Sequence, residues 1–300
     1  MTEQKPGIEW LRSVEFDVAD LAASAAFYAD VWGLKVVDRT PDAVYLRGTS
    51  TEHHILVLRE GATCGIRRAN FGAADRRTVD ELYDILRDVA LAPPKNLDEP
   101  GDGYGFAFSD GESREMRVIS GIGPHEKAGL RADVPVKLSH VVYASTDADA
   151  ASAFYQRLGF RLRDESGRIF FLGCNQEHHC LAFGRAPVAR LSHVAFDLPS
   201  IDGLMRGTGR LKAAGLTLEH GVGRHGPGNN VFAYFFDPND IVIEYTTEMA
   251  HIDDRTYKFG GPEFWDKRVT VDEWGVAGPP TERFRTRGSR GLPELMKDKQ

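Results

Sequence analysis

His140–Tyr155 reads HVVYASTDADAASAFY, and Ser13–Tyr28 reads SVEFDVADLAASAAFY. Laid side by side without a gap, the two share Val14 with Val141, then Ala26-Phe27-Tyr28 with Ala153-Phe154-Tyr155. Each opens as a short alternating strand and passes into an Ala-rich helix with Phe and Tyr on the buried face. Each then leaves through a glycine, Gly33 or Gly159, into more strand-like sequence. Alanine favours the helix because it gives up no side-chain entropy there.

Two further copies follow the same plan. Arg190–Gly215, RLSHVAFDLPSIDGLMRGTGRLKAAG, has the strand, a Pro-Ser helix entry and an Ala-Ala-Gly exit. Arg67–Arg87, RRANFGAADRRTVDELYDILR, is a weaker version in the first half. Each copy precedes about three strand candidates, such as YGFAFSD, HHCLAFG and VFAYFFD. The predicted class is α+β: four βαβββ modules paired into two domains. Residues 1–122 hold the first pair and 137–249 the second. The Gly/Pro-bearing stretch 123–136 links them, and 250–300 is an extension without the rhythm.

With 300 residues, 42% hydrophobic and 27% charged, the chain has the composition of a globular protein large enough for two domains. A net charge of −7 gives no electrostatic footprint for nucleic acid. No apolar run reaches the ~18 residues of a membrane span. The N-terminus, MTEQKPGIEW, lacks the apolar core of a signal peptide. Cys64, Cys174 and Cys180 are too few and scattered for a disulfide framework or zinc cage. A cytoplasmic setting is the expectation.

Modules three and four open with nearly the same words, LSHVVYA and LSHVAFD, which put His140 and His193 at equivalent first-strand positions. By alternation, Leu138, His140 and Val142 share a face, as do Leu191, His193 and Ala195. A lone histidine on an apolar face is more often a core residue than a ligand. Two at equivalent places in paired repeats are brought towards one cavity by the pseudo-symmetry. Glu244 sits in the last strand of module four, IVIEY, where an ionised carboxylate needs a partner. Two imidazoles and one carboxylate on one face of a divalent metal form the facial triad of non-haem Fe(II) oxygenases.

This set resembles the vicinal oxygen chelate (glyoxalase/bleomycin resistance) fold and, within it, the type I extradiol dioxygenases that cleave catechol rings. The resemblance covers about residues 9–248 and rests on His225, Tyr234, Asp237-Pro238 and Glu244 in GRHGPGNN…YFFDP…IE, together with His179 in HHCLAF. It implies Fe(II) held by His140, His193 and Glu244, with manganese as the alternative ion. It implies His179 as the residue that stabilises oxygen and acts as acid, with His225 and Tyr234 orienting substrate oxygens. The substrates would be a catechol and O2, the product a hydroxymuconic semialdehyde, and the assembly a homo-oligomer. In relatives that prefer homoprotocatechuate-like substrates an Asn stands two residues after the first ligand His; here it is Val142, which predicts a more apolar surrounding. His178 alternates away from His179 and is assigned no role, Asn229-Asn230 is expected to shape a turn, and Cys174 and Cys180 to fill core.

In the first half, Ser13 stands where His140 stands, Arg68 opposite His193, and Met116 or Arg117 near the place of Glu244. None suits iron, so the metal is expected in the C-terminal half alone. The aromatic-rich extension is expected to wrap the domain, lid the site or contact another subunit, with its last residues mobile. Its Arg255 and Arg268 are candidates to read an acidic substituent, or else surface ion-pair partners. Other readings remain: a glyoxalase- or epimerase-like lyase or isomerase, a 4-hydroxyphenylpyruvate-dioxygenase-like oxygenase, or a metal-free binding protein.

Overall fold

The four repeated helices begin in one way. Asp20, Asp75, Asp147 and Ser200 each accept the backbone N–H three residues on, from Ala23, Thr78, Ala150 and Gly203. A short acceptor at that place satisfies one of the donors a helix start leaves unbonded. The computed structural model, which describes residues 7–126, 131–268 and 271–288, shows how the modules around these helices assemble.

In chain order the first half contains β1 (Trp10–Val18), α1 (Leu21–Ala26), β2 (Lys35–Thr40), β3 (Ala43–Arg47), β4 (Leu56–Glu60), β5 (Gly65–Gly72), α2 (Arg76–Leu86), β6 (Lys95–Asn96), β7 (Tyr104–Ser109) and β8 (Glu115–Ser120). The second repeats it: β9 (Lys137–Ser145), α3 (Ala148–Gln156), β10 (Arg161–Glu165), β11 (Ile169–Gly173), β12 (Leu181–Arg185), β13 (Arg190–Asp197), α4 (Ile201–Ala213), β14 (His220–Arg224), β15 (Val231–Phe236) and β16 (Val242–Thr247). Each half forms one eight-stranded sheet, in the orders β2-β3-β4-β1-β5-β8-β7-β6 and β10-β11-β12-β9-β13-β16-β15-β14. The first and last strands of a module pair in parallel, which its helical crossover permits, and the two first strands of a half meet antiparallel at the sheet centre. The four βαβββ modules read from the sequence are those of the fold.

Register reveals a further repeat. Leu56 lies opposite Val14 as Leu181 lies opposite Val141, so Glu52-His53-His54 occupies the place of Glu177-His178-His179. The halves also share a core. Trp32, fully buried, packs its ring 4.0 Å from Tyr245 and 5.4 Å from Phe196 of the other sheet.

The chain after β16 wraps the second sheet. Ala250 donates to Gly228 and accepts from His178, Ile252 donates to Gln176, and Glu165 donates to Gly260. Asp254 pairs with Arg161 and Arg163 at the start of β10. A short helix, α5 (Pro262–Trp265), follows. The expected mobile end falls largely on residues 289–300, outside the described residues, as do 127–130 of the linker stretch. No helix among the described residues is long and apolar enough to cross a membrane.

Candidate metal centre

Two β-bulges build this site. Along the β9–β13 ladder the register skips at Ser139 and again at Ser192. A bulge turns two consecutive side chains towards one side, where plain alternation would oppose them. Ser139 Oγ therefore lies 3.1 Å from His140 Nδ1, and Ser192 Oγ 3.2 Å from His193 Nδ1. With each serine taking the Nδ1 proton, each Nε2 is left as a bare ligand atom. The skip also corrects the alternation drawn from sequence: Leu138 belongs to the main hydrophobic core, away from His140.

His140 Nε2 and His193 Nε2 lie 3.4 Å apart, and each is 3.2 Å from Glu244 Oε2. Ligand atoms of all three fall within 4.8 Å of one another. Glu244 is wholly buried on β16, opposite Ala195, and neither of its oxygens has an aligned hydrogen-bond partner among the described residues. Burial alone would push its carboxyl up; an imidazole that carries a proton on Nε2 outweighs that and holds it well below the usual carboxylate range, whereas a bare Nε2 leaves the anion uncompensated. A buried anion with two unbonded oxygens, facing two bare imidazole nitrogens, is the donor set a divalent cation completes.

The other residues singled out in the sequence gather around this set. His179 packs its ring 4.6 Å from that of His140 at a tilt, and burial followed by the neighbouring imidazoles pushes its pKa far down. Tyr234, directly opposite Glu244, lies 5.2 Å from the His193 ring. Its hydroxyl is 3.0 Å from His225 Nε2, while His225 Nδ1 is 2.8 Å from the Val271 carbonyl. A carbonyl only accepts, so His225 carries its proton on Nδ1 and Tyr234 donates to Nε2. Burial lowers the His225 pKa to about 4 and raises that of Tyr234, so both are neutral near pH 7. Val142 is buried opposite His193.

Gly228, at φ +82°, lies so close to His179 that an added Cβ would stand 2.9 Å from its Cε1. Asn229 takes the left-handed conformation and Asn230 donates to Thr246, consistent with the turn expected there. Cys174 and Cys180 pack with the core, their sulfurs 3.3 Å apart. Arg255 faces solvent and is paired with Asp253, and Arg268, also exposed, lies over Phe264, which puts both on the surface of the extension. His178, given no role from sequence, is buried and hydrogen-bonded to His179, Asp164 and Tyr257. Phe284, likewise not singled out in the sequence, packs with Phe232, Tyr234, Phe236 and Val242. Its signal is weak, a lone aromatic in a basic tail; the repeated EHH of both halves is the visible clue to His178.

In the first half, Arg68 lies opposite Glu15 as His193 lies opposite Val142, and Arg117 opposite Asn70 as Glu244 lies opposite Ala195. Ser13, Arg68 and Arg117 thus take the triad's places. They surround the buried Glu15, which lies 2.9 Å from Arg68, 3.0 Å from Arg117 and 3.3 Å from Arg59.

The Glyoxalase/Bleomycin resistance protein/Dioxygenase superfamily profile matches residues 137–245, the stretch that holds the triad. The Mn(II)-bound glyoxalase from Novosphingobium aromaticivorans is 33% identical, with a TM-score of 0.86 over 92% of this chain and 94% of that one. The chain belongs to this superfamily. Among curated superfamily relatives, Metapyrocatechase 2 of Cupriavidus necator is 25% identical over 79% of this chain and 80% of its own length. The 1,2-dihydroxynaphthalene dioxygenase of Sphingobium xenophagum is also 25% identical, over 76% of this chain and 84% of its own.

Proposed function

We propose that this chain is an extradiol dioxygenase, opening the ring of a substituted catechol with O2 at the bond beside its two hydroxyls. The observation that carries the reading is the largely buried His140–His193–Glu244 face with His179, His225 and Tyr234 arrayed around it. The names of the Cupriavidus and Sphingobium relatives point the same way. Fe(II) on the triad would supply a Lewis acid for both diol oxygens and the redox chemistry that O2 needs. Mn(II) is the alternative ion, and it occupies the Novosphingobium relative.

The chain's own residues set the rest. Neutral His179 is the proton acceptor for one substrate hydroxyl and returns that proton as the ring opens. The Tyr234 hydroxyl, held by His225, orients a substrate oxygen. Phe232, Phe236, Val242 and Phe284 around Tyr234, with Val142, favour a ring whose substituent is apolar and uncharged. Burial excludes bulk water, which strengthens each polar contact inside. The ring bond beside the diol breaks, and the two oxygen atoms end as the new aldehyde and in the new carboxyl group. The cytoplasmic setting, the homo-oligomer and the division between residues 1–122 and 137–249 belong to the same proposal.

Oxygen uptake by anaerobically Fe(II)-loaded protein against a catechol panel, with a yellow product lost in His193→Ala, is the expected result. The Novosphingobium relative supports a second reading, an isomerase of the glyoxalase kind using Mn(II). Turnover of a hemithioacetal by Mn(II)-loaded protein, with no oxygen uptake on any catechol, would replace the first reading by the second.

A further inference from the structure

His178 and His179 are neighbours in sequence, yet both are buried and their Nδ1 atoms lie 3.0 Å apart. On its far side His178 Nε2 is 2.9 Å from Asp164 Oδ2 and 3.1 Å from the Tyr257 hydroxyl. Asp164 is itself buried on β10, and its Oδ1 accepts the Gly260 N–H at 2.8 Å. That approach needs glycine, since a Cβ at Gly260 would stand 2.8 Å from Asp164 Oδ1 and 2.5 Å from Trp265 Nε1. A chain of contacts thus runs from the C-terminal extension through Asp164 and His178 to His179.

The chain has a direction. A carboxylate only accepts, so the His178 proton sits on Nε2, and a neutral imidazole then has a bare Nδ1. Among the described residues the atom facing that Nδ1 is His179 Nδ1, which must donate. His179 is left with a bare Nε2, the form able to take a proton. The first half carries the same histidine pair, His53 and His54, also 3.0 Å apart at Nδ1. There Asp38, in the register place of Asp164, accepts the N–H of Arg39, and His53 stacks on His125. The closure by Asp164 and the extension belongs to the half that holds the triad.

We infer that Asp164 and His178, braced by Tyr257 and Gly260, are positioning residues that hold His179 in its Nδ1–H tautomer with Nε2 bare. The tautomer stands on geometry alone; its consequence for turnover rests on the dioxygenase reading above. The extension is then part of the working site rather than only a cover.

Long-range 1H–15N correlation spectra of the full-length, histidine-labelled, Zn(II)-loaded protein read the tautomer directly, without turnover. Wild type should show His179 as Nδ1–H. Asp164→Asn is nearly isosteric. Its oxygen keeps the Gly260 N–H, so its amide faces His178 Nε2 as a donor and should switch both tautomers, leaving His179 as Nε2–H. In the Fe(II) protein the same variant should lose about 10²- to 10⁴-fold in kcat, with KM and metal content nearly unchanged. His53→Phe, the matched change in the other half, should leave His179 and kcat as they were. His179 found as Nε2–H in wild type overturns the inference, and needs no variant to fold. An Asp164→Asn protein that keeps both tautomer and kcat overturns it too. The predicted tautomers in a protein that turns over no catechol would uphold the relay and sink the dioxygenase reading instead.

Discussion

The Tyr28 hydroxyl, from the first half, donates to Asp237 Oδ2 in the second at 3.0 Å, inside a fully buried environment. Its counterpart runs the other way: Tyr155 donates to Asp110 Oδ2 at 3.1 Å. The tyrosine of each repeated Ala-Phe-Tyr is therefore a clasp onto the opposite half. Asp237 also accepts from the backbone of Asn239 and Ile241, so the turn that leads into β16 is fixed by the same carboxylate. Removing the hydroxyl leaves a buried acceptor one bond short, a cost of about 1–3 kcal/mol. Tyr28→Phe should lower stability by that amount in urea unfolding, with metal content unchanged. A variant as stable as the parent would show that the clasp adds nothing.

The serines before the two candidate ligand histidines carry a second prediction. Each fixes the Nδ1 side of an imidazole and so aims its Nε2. Loss of such a partner weakens metal binding by about 10- to 100-fold. Ser139→Ala and Ser192→Ala should each do so in a competition titration with a chromophoric chelator. Unchanged affinity in both would assign the serines to the bulges alone.

Gly228 offers a third. Alanine there meets both a left-handed backbone and the His179 ring. The backbone strain costs on the order of 1–3 kcal/mol. Displacing His179 by even a fraction of an ångström should lower kcat by more than about tenfold. A Gly228→Ala enzyme with the parent's kcat and stability would mean the loop gives way freely.

A fourth concerns pH. His225 is half-buried, and desolvation holds its pKa at about 4, whereas the unfolded chain protonates this imidazole near its ordinary value of about 6.5. Between these values the unfolded state binds the extra proton. Stability is whole above pH ~6.5 and declines as the pH falls towards 4, by up to about 3 kcal/mol for this group alone. His225→Phe should flatten that part of the profile in urea unfolding of metal-free protein. Parallel profiles would remove His225 as the cause.

Much of the fold and of the candidate metal centre is legible in the amino-acid sequence. His140 and His193 stand out because the repeats place them in matching words, Glu244 because it is a lone carboxylate in an apolar strand, and the GRHGPGNN run marks the loop that holds His225 and Gly228. Alternation fails where the bulges lie, because a bulge is set by one unpaired backbone residue and leaves no periodic trace. For the same reason alternation turns His178 outward, when a bend before β12 turns it inward onto Asp164. Contacts made by the extension, such as Val271 with His225 or Gly260 with Asp164, join residues 46 and 96 positions apart and follow no local pattern.

The arginines of the first half bear on how the duplicated halves diverged. Around Glu15, guanidinium groups supply the positive charge that a cation would supply around Glu244, so the buried carboxylate is balanced without an ion. Ligands lost one at a time would leave a stranded charge at each step, whereas an arginine fills volume and balances charge together. No single substitution restores a donor set there, because a lone histidine would face two fixed cations. Metal titration should therefore saturate at one equivalent per chain, and the emptied half is free to vary as a scaffold for the other.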